Sequence, residues 1–222
     1  VGDQSVWDRV DSYFAEQLLG TDQGLAAAAA ASNAAGLPQI AVSPLQGRFL
    51  QLLAASIRAR NVLEIGTLGG YSTICLARGV GPEGRVVSLE YEPRHAEVAR
   101  SSIAAAGLSG VVEIRVGRAL DLLPRVEAAG IGPFDLVFID ADKQSNADYV
   151  QWAIRLAHPG TVIVVDNVVR DGAVGDPDSS SPDVLGTRRM FDLIEGNARL
   201  EATAIQTVGA KGYDGFVYAV VR

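Results

Sequence analysis

Val137-Phe138-Ile139-Asp140-Ala141-Asp142-Lys143 is the stretch whose reading decides the fold. Apolar residues from Leu136 to Ile139 run straight into two acids and a lysine. A short apolar run bounded by polar residues reads as a buried strand. The polar cluster then stands where that strand leaves its sheet. Thr161-Val162-Ile163-Val164-Val165, followed by Asp166-Asn167, repeats the pattern. In open α/β sheets, ligands bind at the carboxyl ends of the strands. If the two strands are neighbours, Asp140, Asp166 and Asn167 converge. Three oxygen donors suit a hard divalent ion: Mg2+, or Ca2+ or Mn2+. Singly, each residue has a plainer reading. Asp140 and Asp166 are good helix caps, Asn167 a turn residue and Lys143 a solvated charge. As a set at one sheet edge they point to a metal site, with Lys143 placed to take a proton. Asp142 is a further ligand or a cofactor contact.

Working outward, Asn61 to Ile65, Arg85 to Glu90 and Val111 to Val116 read as three earlier strands. Helical spacing follows each, over Tyr71 to Arg78, Pro93 to Ala106 and Leu120 to Ala129. Ser145 to Ala157 is the helix after the strand at Phe134 to Ile139. Arg170 to Pro182, rich in Gly, Ser, Asp and Pro, is a loop, and Asp183 to Asn197 a helix. This alternation predicts a mostly parallel, doubly wound sheet with helices on both faces. Two last segments, Glu201 to Thr207 and Phe216 to Val221, flank a turn at Lys211-Gly212-Tyr213-Asp214-Gly215 and should pair antiparallel. The expected fold class is therefore α/β: a Rossmann-like seven-stranded sheet, mostly parallel with an antiparallel C-terminal strand. Helices over Val6 to Leu19, Leu25 to Ala35 and Ser43 to Arg58 precede it. Thr21-Asp22 caps the second of these, and Ser43-Pro44 starts the third. No linker divides the chain, so residues 1–222 read as a single domain, with 1–40 as a helical cap and 41–222 as the core.

Glu64-x-Gly66-x-x-Gly69-Gly70 lies between the first strand and its helix, where glycines let a ligand approach the backbone. Glu90 ends the second strand, and an acid about 20 residues past such a loop holds ribose hydroxyls. The dinucleotide fingerprint is incomplete, because Glu64 stands where the pattern needs its first glycine. A carboxylate there repels a pyrophosphate and suits an ammonium group. S-adenosylmethionine carries an ammonium, a sulfonium and no phosphate, so the loop leans toward it and away from NAD. The glycines alone would signify only a tight turn.

Composition narrows the rest. Of the 222 residues, 48% are hydrophobic, ample for a core, and the net charge of -7 lacks the basic footprint of a nucleic-acid binder. The lone cysteine, Cys75, sits among apolar neighbours and favours a cytoplasmic setting over a disulfide framework. No apolar run has the length of a membrane span, and the N-terminus shows no leader pattern. The chain starts at Val1 rather than Met, which leaves room for native residues ahead of it. His95 and His158 fall away from the acids, which disfavours zinc.

Val62-Leu63-Glu64-Ile65-Gly66-Thr67-x-x-Gly70-Tyr71-Ser72, Phe138-Ile139-Asp140-Ala141-Asp142-Lys143 and Asp166-Asn167-Val168 together resemble the cation-dependent class I O-methyltransferases. These include catechol and caffeoyl-coenzyme A O-methyltransferases and their bacterial relatives. The likeness runs from about Ile40 to the C-terminus. It implies Asp140, Asp166 and Asn167 as metal ligands and Lys143 as general base. It implies Glu90 on the cofactor ribose, and Gly66, Tyr71 and Ser72 around the methionine moiety with Glu64 beside them. Val42 would meet the methionine carboxylate through its backbone, and Ala119, Asp140 and Asp142 would lie around the cofactor. It further implies adjacent fourth and fifth strands, a homodimer, and methyl transfer from S-adenosylmethionine to a hydroxyl of a small aromatic vicinal diol. Catechol-type members carry aromatic or imidazole residues after the first metal acid. This chain has Ala141-Asp142 there, which places it nearer the caffeoyl-coenzyme A and bacterial branch. A hydroxylated tRNA base as acceptor, an NAD-dependent oxidoreductase and a scaffold with a dead site are the competing readings. The acceptor-choosing segments are the N-terminal helices, the Arg170 to Pro182 loop and the Lys211 to Gly215 turn. Their composition names no substrate.

Overall fold

A computed structural model describes residues 3–222. Seven strands form one sheet: β1 (Asn61–Ile65), β2 (Arg85–Glu90), β3 (Val112–Val116), β4 (Phe134–Ile139), β5 (Ala157–Asp166), β6 (Leu200–Gly209) and β7 (Gly212–Val221). Their spatial order is β3-β2-β1-β4-β5-β7-β6. Every pairing from β3 to β5 is parallel, and β7 runs antiparallel to both β5 and β6. Parallel strands covered on both faces read as continuous apolar runs, and Leu136 to Ile139 are wholly buried. That is why the sequence marked these strands so clearly.

Register sets up the site. Ile65 pairs with Ile139, and Ile139 pairs with Val165. The residues that follow, Gly66, Asp140 and Asp166, therefore come side by side at one edge of the sheet. Helices α4 (Tyr71–Val80), α5 (Pro93–Ala105), α6 (Ala119–Ala128), α7 (Asn146–Arg155) and α8 (Pro182–Glu195) cover the two faces. Before the sheet come α1 (Gln4–Leu18), α2 (Gln23–Ala34) and α3 (Pro44–Ser56). Asp22 caps α2 by accepting from Leu25 N–H at 3.0 Å, and Ser43 caps α3 by accepting from Gln46 N–H at 3.2 Å. The alanine run of α2 packs by Ala28 against Ile74, Ala99 and Ile103. Small side chains let it lie close. Helix α1 buries none of its residues.

Two boundaries differ from the sequence reading. Tyr213-Asp214-Gly215 is not a turn but part of β7, paired with Val208, Thr207 and Gln206. Asp and Gly are poor strand formers, yet pairing along the hairpin overrides that preference. The turn is only Ala210-Lys211. Strand β5 begins at Ala157, ahead of the Thr161 start read from the sequence, so Pro159-Gly160 lies in its exposed first part. Among the described residues, no helix is long and apolar enough to cross a membrane.

Candidate active site

Asp140 follows β4 directly, and its N–H still bonds Ile65 C=O at 2.9 Å, which fixes its position. The chain then turns in one 3-10 stretch, Lys143–Ser145, that swings Lys143 back over the strand end. Lys143 Nζ donates to Asp140 Oδ1 at 2.8 Å, and the lysine is 6% exposed. A buried ammonium is tolerated here because the carboxylate meets it. Helix α8 seats this turn: a Cβ on Gly186 would lie 2.4 Å from Lys143 C=O. Asp166 is 5% exposed. Burial first, then the charge of Asp140, pushes its carboxyl up to about 7, against the pull of Lys143 and of Asn167 N–H. That N–H reaches Asp166 Oδ1 at 2.9 Å. Asn167 itself adopts φ 57°, a left-handed conformation that Asn accepts better than most residues.

Asp214 holds the segment beyond. Its Oδ1 accepts from Val169 N–H at 3.0 Å, Arg170 N–H at 3.1 Å and Gly215 N–H at 3.0 Å. Asp214, which the sequence put in an acceptor-choosing turn, thus braces the backbone.

The donor set fits a hard divalent ion. Burial, and after it the charge of Asp140, keeps Asp166 from ionising readily, and a cation held by both acids would relieve that. Among the described residues no group of three His, Cys, Asp or Glu gathers. The candidate set is two acids and an amide, all oxygen donors.

The cofactor loop is braced from below. Glu90 Oε2 accepts from Thr67 N–H at 3.0 Å and Leu68 N–H at 2.8 Å, and Oε1 accepts from Glu92 N–H at 2.9 Å. Oε1 keeps capacity for a ribose hydroxyl. His95, which the sequence placed apart from the acids, lies with Nδ1 3.4 Å from that oxygen. Gly66 has φ 101°, and a Cβ there would fall 2.1 Å from Asp140 C=O. The glycine therefore serves the close approach of β1 to β4 as well as ligand access.

Glu64 is fully buried and does not reach the cavity wall. It accepts from Ser72 Oγ at 2.6 Å, Ser88 Oγ at 2.6 Å and Thr73 Oγ1 at 2.5 Å. Burial outweighs these bonds and pushes its carboxyl up to about 7. Of its three partners, only Ser72 lines the wall.

A cavity of about 990 Å³ covers this edge. That is near the top of the range for small-molecule sites, roughly 300–1,000 Å³, and admits a nucleoside-sized cofactor beside a small acceptor. Val42, Gly66, Tyr71, Ser72, Glu90, Ala119, Asp140, Asp142, Lys143 and Asn167 line it; Asp166 and Glu64 lie off the wall. Asp142 accepts from Tyr149 O–H at 2.5 Å. Tyr149 escaped the sequence reading, since a contact across a 3-10 turn has no spacing signature. His158 sits at the opposite sheet edge, bonded to Asp135 at 2.9 Å.

Comparison with known proteins gives a consistent picture. The O-methyltransferase family model matches residues 22–215. A catechol O-methyltransferase of Mycobacterium tuberculosis is 60% identical over 213 residues, covering 96% of this chain and 95% of that protein. A catechol O-methyltransferase of Niastella koreensis is 49% identical over 217 residues, 98% of each. The crystal structure of an O-methyltransferase from Bacillus cereus in complex with SAH superposes with a TM-score of 0.98 at 53% identity, covering 99% of this chain and 100% of that one.

Proposed function

The chain belongs to the O-methyltransferase family and is an S-adenosylmethionine-dependent O-methyltransferase, and from that premise we propose that it methylates one hydroxyl of a small aromatic vicinal diol with the help of a divalent ion. The observation that carries the proposal is the pairing of Ile139 with Val165, which brings Asp140 and Asp166 to level strand ends, with Lys143 Nζ 2.8 Å from Asp140. Asp140, Asp166 and Asn167 would hold the ion. Bound there, it would polarise the two oxygens of a chelating diol and favour the ionised hydroxyl. Lys143, as the neutral amine, takes the hydroxyl proton at Nζ. The glycine loop, with Val42, Tyr71 and Ser72, holds the methionine end of the cofactor, and Glu90 holds its ribose. Ala119, Asp140 and Asp142 complete the cofactor's surroundings, and Glu64 acts from beneath through Ser72. The oxyanion then attacks the methyl carbon, and alignment of the two supplies much of the rate.

The names of the relatives support the catechol-like acceptor. A tRNA base is the weaker reading for a chain of net charge -7. The oxidoreductase reading falls with the family. We read residues 1–222 as one catalytic unit with 1–40 as its helical cap, acting in the cytoplasm as a homodimer. A methyl-transfer assay on catechol with and without chelator tests the proposal. Turnover should vanish in excess chelator and return with added magnesium. Full turnover in chelator would reject the ion's role, and no turnover on any vicinal diol would reject the acceptor.

A further inference from the structure

The cavity extends past the metal-site acids toward the far end of the sheet, and a single lysine stands there. The strand order puts the cofactor loop on the β1–β2 side, the acids on β4 and β5, and the β6–β7 hairpin beyond them. Strand β6 runs in the same direction as β5, so the turn Ala210-Lys211 projects from the edge that carries Asp140 and Asp166. Phe216 is level with Asp166, and the hairpin continues to Gly212. At roughly 3.4 Å per residue it rises on the order of 14 Å above the acids. A wall of that height flanks whatever is bound at the acids on the side away from the cofactor.

Lys211 reaches back from this turn to line the cavity, and Nζ donates to Gln39 C=O at 3.0 Å. An ammonium has three donors, so two remain. The other cations on the wall differ. Lys143 pairs with Asp140, Arg170 pairs with Asp183 at 3.2 Å, and His95 lies by Glu90. Arg118 has no ion-pair partner among the described residues, but it precedes Ala119 at the cofactor end. Lys211 has none either, and it stands at the acceptor end. Helix α1 fixes the turn: Asp11 Oδ2 accepts from Ala210 N–H at 2.8 Å, and Gln4 donates to Gly209 C=O at 3.0 Å. A hairpin tip braced on one side by a helix and tied on the other to residue 39 is a formed rim.

Resting on the diol reading above, we propose that Lys211 selects acceptors that carry a carboxylate on the substituent opposite the diol. A diol anchored at the acids points its substituent up the hairpin wall, where the ammonium meets it. Asp11 and Gln4 are positioning residues for that contact, which gives the N-terminal helix a part in specificity.

The test uses three vicinal diols of matched size, with a carboxylate, a neutral and an ammonium side chain, assayed with the wild type, K211M, K211R and D11A. In the wild type kcat/KM should rank carboxylate above neutral above ammonium. The carboxylate-to-neutral ratio should fall about five- to tenfold in K211M, the scale of one partly screened ion pair. K211R should keep the ratio, and D11A should lower it without changing S-adenosylmethionine affinity by calorimetry. Salt should erode the wild-type ratio and leave that of K211M flat. A ratio within twofold of wild type in K211M overturns the assignment while leaving diol methylation standing. A wild type that methylates none of the three overturns the diol reading, and this one with it.

Discussion

Glu64 holds its carboxyl where no water reaches, and three hydroxyls donate to it. Burial raises it to about 7 from an ordinary value near 4.5. In the unfolded chain the group ionises first, so between those values the native state binds the extra proton. Stability from this group is fully present below about pH 4.5 and is lost as pH rises through about 7. The size is on the order of 3 kcal/mol. Glu64→Gln removes the titration and keeps the shape. Asp166 titrates in both proteins, so the difference between them isolates Glu64. The melting-temperature gap between wild type and Glu64→Gln should move in the variant's favour by several degrees from pH 5 to pH 8. A gap that stays constant would mean that Glu64 does not change charge in that window. The sequence showed Glu64 in the right loop, but not that Ser72, Thr73 and Ser88 would close around it. Those hydroxyls come from a helix and a second strand, and only packing brings them together.

Elements place Lys143 more than its own neighbours do. The 3-10 turn that carries it lies against α8, and Gly186 is where the two backbones meet. A Cβ at Gly186 would fall 2.4 Å from Lys143 C=O and 2.5 Å from Gln144 Cα, both backbone atoms that cannot swing away. Gly186→Ala should therefore push the turn outward. Overpacking of this kind costs roughly 1–3 kcal/mol, and a displacement of about 1 Å at a reacting group can cost as much as 100-fold in rate. We expect a kcat at least tenfold lower, with cofactor affinity held, measured by steady-state kinetics and calorimetry. Unchanged kcat would mean that α8 does not seat the lysine. Gly186 sits inside a sequence that reads simply as helix, and nothing in the spacing marks it. The central strands β4 and β5 were legible for the opposite reason, since burial on both faces writes Leu136 to Ile139 and Val162 to Val165 as unbroken apolar runs. The hairpin boundaries were not, because Asp214 and Gly215 are read locally as turn residues. Asp214 is held in β7 by its pairing with Thr207, and its carboxylate ties down the backbone at Val169 and Arg170.

At the scale of the whole molecule, α1 and β6 leave an apolar surface uncovered. Val6, Val10, Phe14 and Leu18 recur along α1 at helical spacing, and Leu18 is 70% exposed. Ile205 and Val208 are exposed on β6, the edge strand that α1 contacts. Helical periodicity showed the stripe in the sequence but not what it faces, because an amphipathic helix reads the same against a core or a second chain. Here the core does not take it. An edge strand beside an apolar helix invites pairing with another copy unless something covers it. Large apolar side chains each contribute roughly 1.5–3 kcal/mol when buried, so removing two should break a modest interface. The wild type should therefore run by light scattering at twice the chain mass of 23.3 kDa. Phe14→Glu combined with Leu18→Glu should run at the single-chain mass. A monomeric wild type, or a double variant that stays dimeric, would rule out this face as the dimer interface. Because α1 also braces the hairpin through Asp11 and Gln4, a dimer closed over it would stiffen the rim that carries Lys211. The monomeric variant should then lose part of its preference for carboxylate-bearing diols, which links assembly to specificity through one helix.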